Sequence, residues 1–235
     1  MSRRAIVALV LALAAAALFA RLGVWQLHRL AERRAFNAQF ESRLSAPPAS
    51  PTSLPADTAL AKYRRVRMRG TFDFDHQFVV TGRSRQGAPG VFIVTPMRPD
   101  SGGDAVLVNR GWVYSPDASS VNLGLWNEPE RATVEGYADP VPSGVGDDPR
   151  SATNPRAWRR LDYGRLRSEL PYGIAPFVVV ELAQGARPPG APTRLELPPM
   201  DEGPHLNYAI QWFTFAAIAL YGAGYLVWLE RHRPR

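Results

Sequence analysis

The segment HLNYAIQWFTF, residues 205–215, places a histidine at the head of a long uncharged run. On a helix, His205, Tyr208 and Trp212 occupy positions i, i+3 and i+7 and share one face. A neutral imidazole beside flat aromatic rings, with apolar helix below it, is suited to be an axial ligand of a non-covalent haem. The alternative is an ordinary interfacial belt of Tyr208 and Trp212, with His205 among lipid headgroups. The residues alone leave both interpretations open.

The segment VNRGWV, residues 108–113, ends a predicted strand with polar and aromatic side chains. Arg110 and Trp112 would point to the same face of an extended strand, which suits cation–π stacking. Together with Asn109 they would form a recognition surface for a partner or an acidic ligand. The alternative is a structural motif in which Gly111 permits a β-bulge.

Other chemistry finds little support in the sequence. The absence of cysteine excludes disulfides, thiolate metal sites and covalent c-type haem attachment. Asp73 and Asp75 would share one strand face, as paired acid/base residues can, but a solvent-exposed strand end is the favoured explanation. No nucleotide-binding, hydrolase or calcium-loop motif occurs, so we expect no enzyme and no metal site other than a haem ligand at His205.

The positive charge lies beside the apolar segments. The net charge is +7, but residues 38–203 contain 19 Lys and Arg against 19 Asp and Glu and are neutral. Basic residues next to apolar segments are typical of membrane proteins, which contact anionic headgroups. We therefore expect membrane lipid as a partner and no nucleic acid.

Two segments are predicted to cross a membrane. Residues 5–27 would form a helix about 35 Å long, and the uncharged segment 204–229 would form a longer one. Both lengths exceed the hydrocarbon core of a membrane, which is about 30 Å thick. A cleaved signal peptide is the alternative for the first segment. Flanking basic residues place the termini, residues 1–4 and 230–235, in the cytoplasm, and the region between them in the periplasm. This predicts a two-pass protein of the bacterial inner membrane.

The region between the two segments changes from helical to β-type patterning. Residues 28–61 contain a short basic helix candidate, Arg29–Leu44, and a linker rich in Pro, Ser and Ala. Residues 62–203 form a β domain with one helix at Tyr163–Leu170. Its predicted strands are Tyr63–Phe72, Gln77–Arg83, Gly90–Arg98, Ala105–Val113, Ala132–Ala138 and Ala175–Leu182. We therefore predict a mainly β protein, an antiparallel barrel or sandwich flanked by two transmembrane helices.

Five segments together resemble one known family. They are LGVWQLHRLAERRA (22–35), RVRMRGTFD (65–73), GRSRQGAPGVFIVTPM (82–97), VLVNRGWV (106–113) and HLNYAIQWFTFA (205–216). These blocks resemble those of the Surfeit-locus-protein-1 family of cytochrome c oxidase assembly factors, and they occur in that family's order. The chain differs in mild ways, for example in having Tyr114 where the family often has proline.

The resemblance implies a function for several residues. It implies a non-enzymatic factor that binds or hands over haem a during maturation of cytochrome c oxidase subunit I, with His205 as the proposed iron ligand and Trp212 nearby. Haem a synthase is a second expected partner. The blocks also imply partner-binding roles for Trp25 and Gln26 and for the Asn109–Arg110–Trp112 group. A cofactor-free scaffold for an oxidase intermediate is the alternative, and the oligomeric state is left open.

Overall fold

The structure is a computed structural model that describes residues 2–55, 57–144, 146–151, 154–185, 188, 190–197 and 200–232. The chain forms two compact units. The helical unit comprises Met1–Phe40 and Pro199–Arg235, and the barrel unit comprises Glu41–Pro198. Arg233 and Arg235, two basic residues of the predicted cytoplasmic C-terminus, lie outside the described residues.

Two long helices dominate the helical unit. Helix α1 spans Arg3–Ser45 and helix α4 spans His205–Arg231. Both are long and apolar enough to cross a membrane, which fits a two-pass membrane protein. With 43 residues, α1 is about 65 Å long, so roughly half of it exceeds the hydrocarbon core. The predicted basic helix Arg29–Leu44 is the continuation of α1 rather than a separate element.

Small residues bring the two helices together. Ala209, Ala216 and Ala223 are buried at intervals of seven residues along α4. On α1, Ala16 and Gly23 are buried on the facing surface, and a Cβ at Gly23 would lie 2.8 Å from the ring of Phe213. Small side chains let helix backbones approach closely in a membrane, so these residues form a closely packed seam.

The barrel unit contains seven strands and two short helices. The strands are β1 (Arg65–Phe72), β2 (Phe78–Arg85), β3 (Ala88–Pro99), β4 (Ala105–Tyr114), β5 (Arg131–Pro140), β6 (Ala157–Trp158) and β7 (Ile174–Glu181). Helix α2 spans Thr58–Ala61 and α3 spans Tyr163–Glu169. All the predicted strands are present, and the two-residue strand β6 is additional.

The sheet closes in the order β1-β5-β7-β4-β3 through a β1–β3 pairing, while β2 and β6 extend it beyond β3. The predicted barrel is thereby confirmed as a five-stranded barrel with extra strands. Most pairings are antiparallel, but β4 pairs with β7 in parallel, and so do β2 and β6. The sheet is therefore mixed, since the long connection from β4 to β7, which includes α3, lets the chain return in the same direction.

Strand alternation fills the barrel. On β1, Val66 and Met68 are buried, while Arg67 between them and Arg69 after them are exposed. These residues join a core with Met97, Val108 and Val179. The predicted linker is partly regular, because Pro51–Ser53 forms a 3-10 turn and the Asp57 carboxylate accepts a hydrogen bond from the Ala59 amide at the start of α2.

The interpretation of Asp73 and Asp75 as residues of one strand face is wrong. Strand β1 ends at Phe72, and Phe74–His76 forms a 3-10 turn. The Asp73 carboxylate accepts a hydrogen bond from the His76 amide at 3.3 Å, and this cap turns the chain out of the strand.

Candidate functional site

His205 begins helix α4 and is joined to α1 by a hydrogen bond. Its Nδ1 lies 2.8 Å from Oε1 of Gln26, a residue 179 positions away in the chain. An amide oxygen can only accept, so Nδ1 carries the hydrogen and donates it. In the neutral form of the ring, Nε2 then carries the lone pair. This is the tautomer that can coordinate a metal through Nε2.

The turn before α4 passes close to that nitrogen. Gly203 has φ +67°, a left-handed conformation that favours glycine. A Cβ at this position would lie 3.5 Å from Nε2 and 3.4 Å from Cδ2 of His205. A side chain here would therefore occupy the space next to the free nitrogen. A nitrogen donor of this kind is one that a haem iron accepts as a ligand.

Polar contacts with α1 hold the same turn in place. Arg34 donates two hydrogen bonds of 2.8 Å to the two carboxylate oxygens of Glu202. Arg33 donates to the carbonyl of Asp201 at 3.0 Å, and Asn37 donates to the same carbonyl. The hydrogen bond and the charge of Glu202 raise the pKa of Arg34, and those of Arg34 lower the pKa of Glu202. We call these contacts the α1 clamp; they fix the chain just before His205.

Trp212 and Tyr208 have different surroundings. The Trp212 ring stacks on Phe19 of α1 with centroids 5.7 Å apart, and it meets Phe215 edge-on at 5.9 Å. Tyr208 is 46% exposed. The helix pair is therefore packed at Trp212, with no open groove there among the described residues. The structure brings His205 and Trp212 to the α1 side, whereas Tyr208 is largely exposed.

Trp25 and Gln26, predicted as partner contacts, also differ in exposure. Trp25 is 53% exposed and is accessible to another molecule. Gln26 is 9% exposed, and its side chain is bonded to His205. A partner role for Trp25 stays a prediction, while the Gln26 side chain acts within the helical unit.

The second predicted group, Asn109, Arg110 and Trp112, lies at a β-bulge. Asn109 pairs with Val94 and Gly111 with Ile93, so Arg110 is an extra residue without a cross-strand partner in this ladder. The Asn109 side chain accepts a hydrogen bond from the Gly111 amide at 3.1 Å. Gly111 has φ +124°. The bulge interpretation is thus confirmed.

The bulge directs Arg110 into the protein, where it is fully buried. Its Nε and Nη2 donate to Oε2 of Glu128 at 3.0 and 2.7 Å, and Nη2 also donates to the carbonyl of Trp126. The rings beside its guanidinium are those of Phe72 and Phe74, at 5.4 and 5.1 Å. The predicted stacking on Trp112 is therefore wrong, because the extra residue breaks the two-residue alternation of the strand.

Arg110 therefore presents no surface to a partner in this structure. Trp112 is half-buried, and its ring lies against Gly90, where a Cβ would be 2.4 Å from its Nε1. Asn109 is buried. A partner surface formed by this group would have to be the Trp112 ring rather than the arginine.

Arg110 belongs to a cluster of four charged side chains, in which Arg110 and Glu181 are buried. Arg194 donates to Oε1 of Glu128 at 2.6 Å and contacts Oε1 of Glu181 at 3.0 Å. Burial alone would raise the pKa of Glu128, but hydrogen bonds from Arg194 and Arg110 hold it below its usual value. Burial raises the pKa of Glu181 to about 7, and Arg194 offsets this only in part. Glu128, Glu181 and Arg194 border a cavity of about 450 Å³.

No local sequence pattern indicates this cluster, because its members are separated by long stretches of chain.

A second group of contacts without a local sequence pattern joins Asp73, His76 and Tyr172. The Asp73 carboxylate lies 2.9 Å from Nδ1 of His76 and accepts the Tyr172 hydroxyl at 2.7 Å. Burial opposes the ionised form, but these hydrogen bonds lower the pKa of Asp73. The group joins the end of β1 to the chain just before β7.

Comparison with known proteins gives a consistent result. A family model described as the SURF1 family matches residues 13–217. A SURF1-like protein of Monosiga brevicollis is 28% identical over 209 residues, which cover 85% of this chain and 79% of that protein. A SURF1-like protein of Mycobacterium bovis is 30% identical over 222 residues, covering 90% and 79%. The cytochrome oxidase assembly protein SHY1 of Saccharomyces cerevisiae is 30% identical over 155 residues, covering 63% of this chain and 40% of that protein.

Proposed function

The chain belongs to the SURF1 family, and on that basis we propose that it is a membrane-anchored assembly factor for cytochrome oxidase that holds or hands over haem a through His205. The similarity to the yeast cytochrome oxidase assembly protein supports the assembly role. We propose no catalytic activity for it. It would bind and position haem a, with subunit I of the oxidase as the recipient of the haem and haem a synthase as a second partner.

One observation carries the cofactor proposal. Gln26 accepts the Nδ1 hydrogen of His205, so Nε2 is the nitrogen that can bind a metal. Haem a, when bound, would supply an iron that takes an imidazole nitrogen as ligand. His205 would therefore bind the iron through Nε2, and the α1 clamp would keep the ring at the end of the helix pair. Tyr208 and Trp25 are exposed aromatic side chains near that end.

The proposed location follows from the two apolar helices. We place α1 and α4 in a bacterial inner membrane with both termini in the cytoplasm, and the barrel unit in the periplasm. The basic residues Arg3 and Arg4 at the start of α1 and Arg231 at the end of α4 support this orientation, since cytoplasmic flanks carry an excess of arginine and lysine. Fusion of a reporter that is active only in the cytoplasm to the C-terminus tests it, and an inactive reporter on a stably inserted chain would reverse the orientation.

The haem proposal is tested by absorption spectroscopy. The full chain is purified from cells that make haem a, as wild type, as His205→Ala and as His232→Ala. His232 follows the opposite end of α4 and serves as a matched control. We expect a Soret band in the wild type and in His232→Ala and its loss in His205→Ala. A band that His205→Ala leaves unchanged, or no band in any form, would remove haem binding from the proposal.

A second candidate function has its own structural support. The packing of Trp212 on Phe19 leaves the helix pair closed along that part of the seam. Ala217 and Gly224 are exposed on α4 and would permit close contact with a helix of another protein. Such a protein would be a cofactor-free scaffold for an oxidase intermediate. It should still co-purify with oxidase subunits from a strain that lacks haem a, and loss of all association in that strain would exclude it.

A further inference from the structure

We infer that Gln26 is the positioning residue for His205: its side-chain oxygen accepts the Nδ1 hydrogen and fixes the imidazole in the tautomer and orientation that present Nε2 to iron. The inference rests on the proposed function of His205 as a haem ligand. It assigns Gln26 a role inside the site, whereas the sequence suggested a contact with another protein.

The burial of Gln26 supports this role. Its side chain lies on the same buried face of α1 as Gly23 and Leu30, near the end of the predicted membrane segment. A buried amide costs free energy unless it is hydrogen-bonded, and the cost is greater where lipid replaces water. The imidazole of His205, 2.8 Å away, provides that hydrogen bond. The two residues therefore satisfy each other, and the ring is held on the Nδ1 side.

The geometry of the turn constrains the other side of the ring. The α1 clamp fixes Glu202 and the carbonyl of Asp201 against α1, and Gly203 follows directly. Because both Gln26 and Arg34 belong to one continuous helix, α1 fixes the position of the His205 ring relative to the preceding turn. His205 is thus positioned by one element from two directions, with Nε2 left free.

The hydrogen bond from Nδ1 to Gln26 also affects how strongly Nε2 of His205 would bind iron. An acceptor on Nδ1–H raises the basicity of the metal-binding nitrogen, and loss of such a partner typically lowers metal affinity about 10- to 100-fold. A neutral amide oxygen gives a moderate effect, and a carboxylate at the same place would give a larger one. Substitutions at Gln26 should therefore change both haem affinity and the electronic properties of the iron.

The test uses the full chain in detergent, titrated with haem a. Gln26→Leu removes the acceptor, and Gln26→Glu keeps an acceptor of the same size while adding charge. Gln211→Leu is the matched control, because Gln211 is exposed on α4. The dissociation constant comes from the Soret titration, the iron–imidazole stretching band from resonance Raman spectra of the ferrous form, and the midpoint potential from redox titration.

We expect Gln26→Leu to bind haem a about 10- to 100-fold more weakly, with the iron–imidazole band at lower frequency. Gln26→Glu should bind at least as tightly as the wild type, with the band at higher frequency and a more negative midpoint potential. Gln211→Leu should match the wild type. If Gln26→Leu does not fold, the Gln26→Glu spectra decide: a band and a potential equal to those of the wild type overturn the inference.

The His205 and Gln26 variants together distinguish a failure of the haem proposal from a failure of the positioning role of Gln26. If His205→Ala abolishes the Soret band but both Gln26 variants behave as Gln211→Leu does, the positioning role is wrong and haem binding stands. If His205→Ala retains the band, the haem proposal fails and the inference about Gln26 fails with it.

Discussion

The ion pair of Arg110 and Glu128 gives the sharpest prediction for the barrel unit. Arg110 is fully buried, and Glu128 accepts hydrogen bonds from both Arg110 and Arg194. Glu128→Gln keeps the size of the side chain but removes its charge, which leaves two arginines beside the weak acid Glu181. Removing one partner of a buried ion pair costs about 3–5 kcal/mol, because the remaining charge is left without compensation.

The expected loss of stability can be converted into a change in melting temperature. For a domain of this size, 1 kcal/mol corresponds to about 2–4 °C, so Glu128→Gln should lower the melting temperature of the barrel unit by about 6–20 °C. Thermal unfolding of the full chain, followed by tryptophan fluorescence, measures it because Trp112, Trp126 and Trp158 all belong to this unit.

Glu130→Gln is the matched control for this prediction. Glu130 is exposed and lies two positions further along the chain, so the change in net charge is the same. We expect Glu130→Gln to unfold within about 2 °C of the wild type, since surface substitutions usually stay within about 0.5 kcal/mol. A melting temperature for Glu128→Gln that equals the control would refute the view that the buried charges depend on one another.

Three further predictions follow from single positions. Because the pKa of Glu181 is raised to about 7 from 4.5, the folded state binds more protons than the unfolded state between these values, and stability falls as pH rises through this window. Glu181→Gln should therefore weaken the fall in melting temperature between pH 5 and pH 8, and an unchanged slope would contradict the assignment. Gly111→Ala should destabilise the barrel by more than about 1 kcal/mol in denaturant titrations, because φ is +124° and the Cβ would lie 2.2 Å from the carbonyl oxygen of Thr193. Gly203→Val should weaken haem a binding in the Soret titration, since its side chain would fill the space beside Nε2 of His205, and equal affinity would place the iron elsewhere.

Local patterns in the sequence predicted the elements well. The alternation of Val66 and Met68 with arginines identifies β1 and its buried face, because a strand's side chains alternate with a period of two. The long uncharged run after His205 likewise identifies α4. These features depend only on neighbouring residues, and they lie in the structure where the sequence places them.

Features that join distant segments could not be predicted in this way. The parallel pairing of β4 with β7 depends on the connection through α3, and the inward position of Arg110 depends on one extra residue in a ladder. Its counter-ion Glu128 lies in a loop, with no pattern around it. The five family blocks include both Gln26 and His205, but nothing in either block says that the two side chains meet.

The closed seam and the haem proposal together restrict where the iron can lie. At Trp212 the ring of Phe19 occupies the space between the helices, and Ala209 is buried against α1 one turn after His205. A flat porphyrin cannot enter such a close contact, since the small residues there serve to bring the backbones together. Beside Nε2, the chain has Gly203, which lacks a side chain; a Cβ there would contact the His205 ring. Under the proposed function, the iron would therefore lie beside His205 at the end of the helix pair where α4 begins.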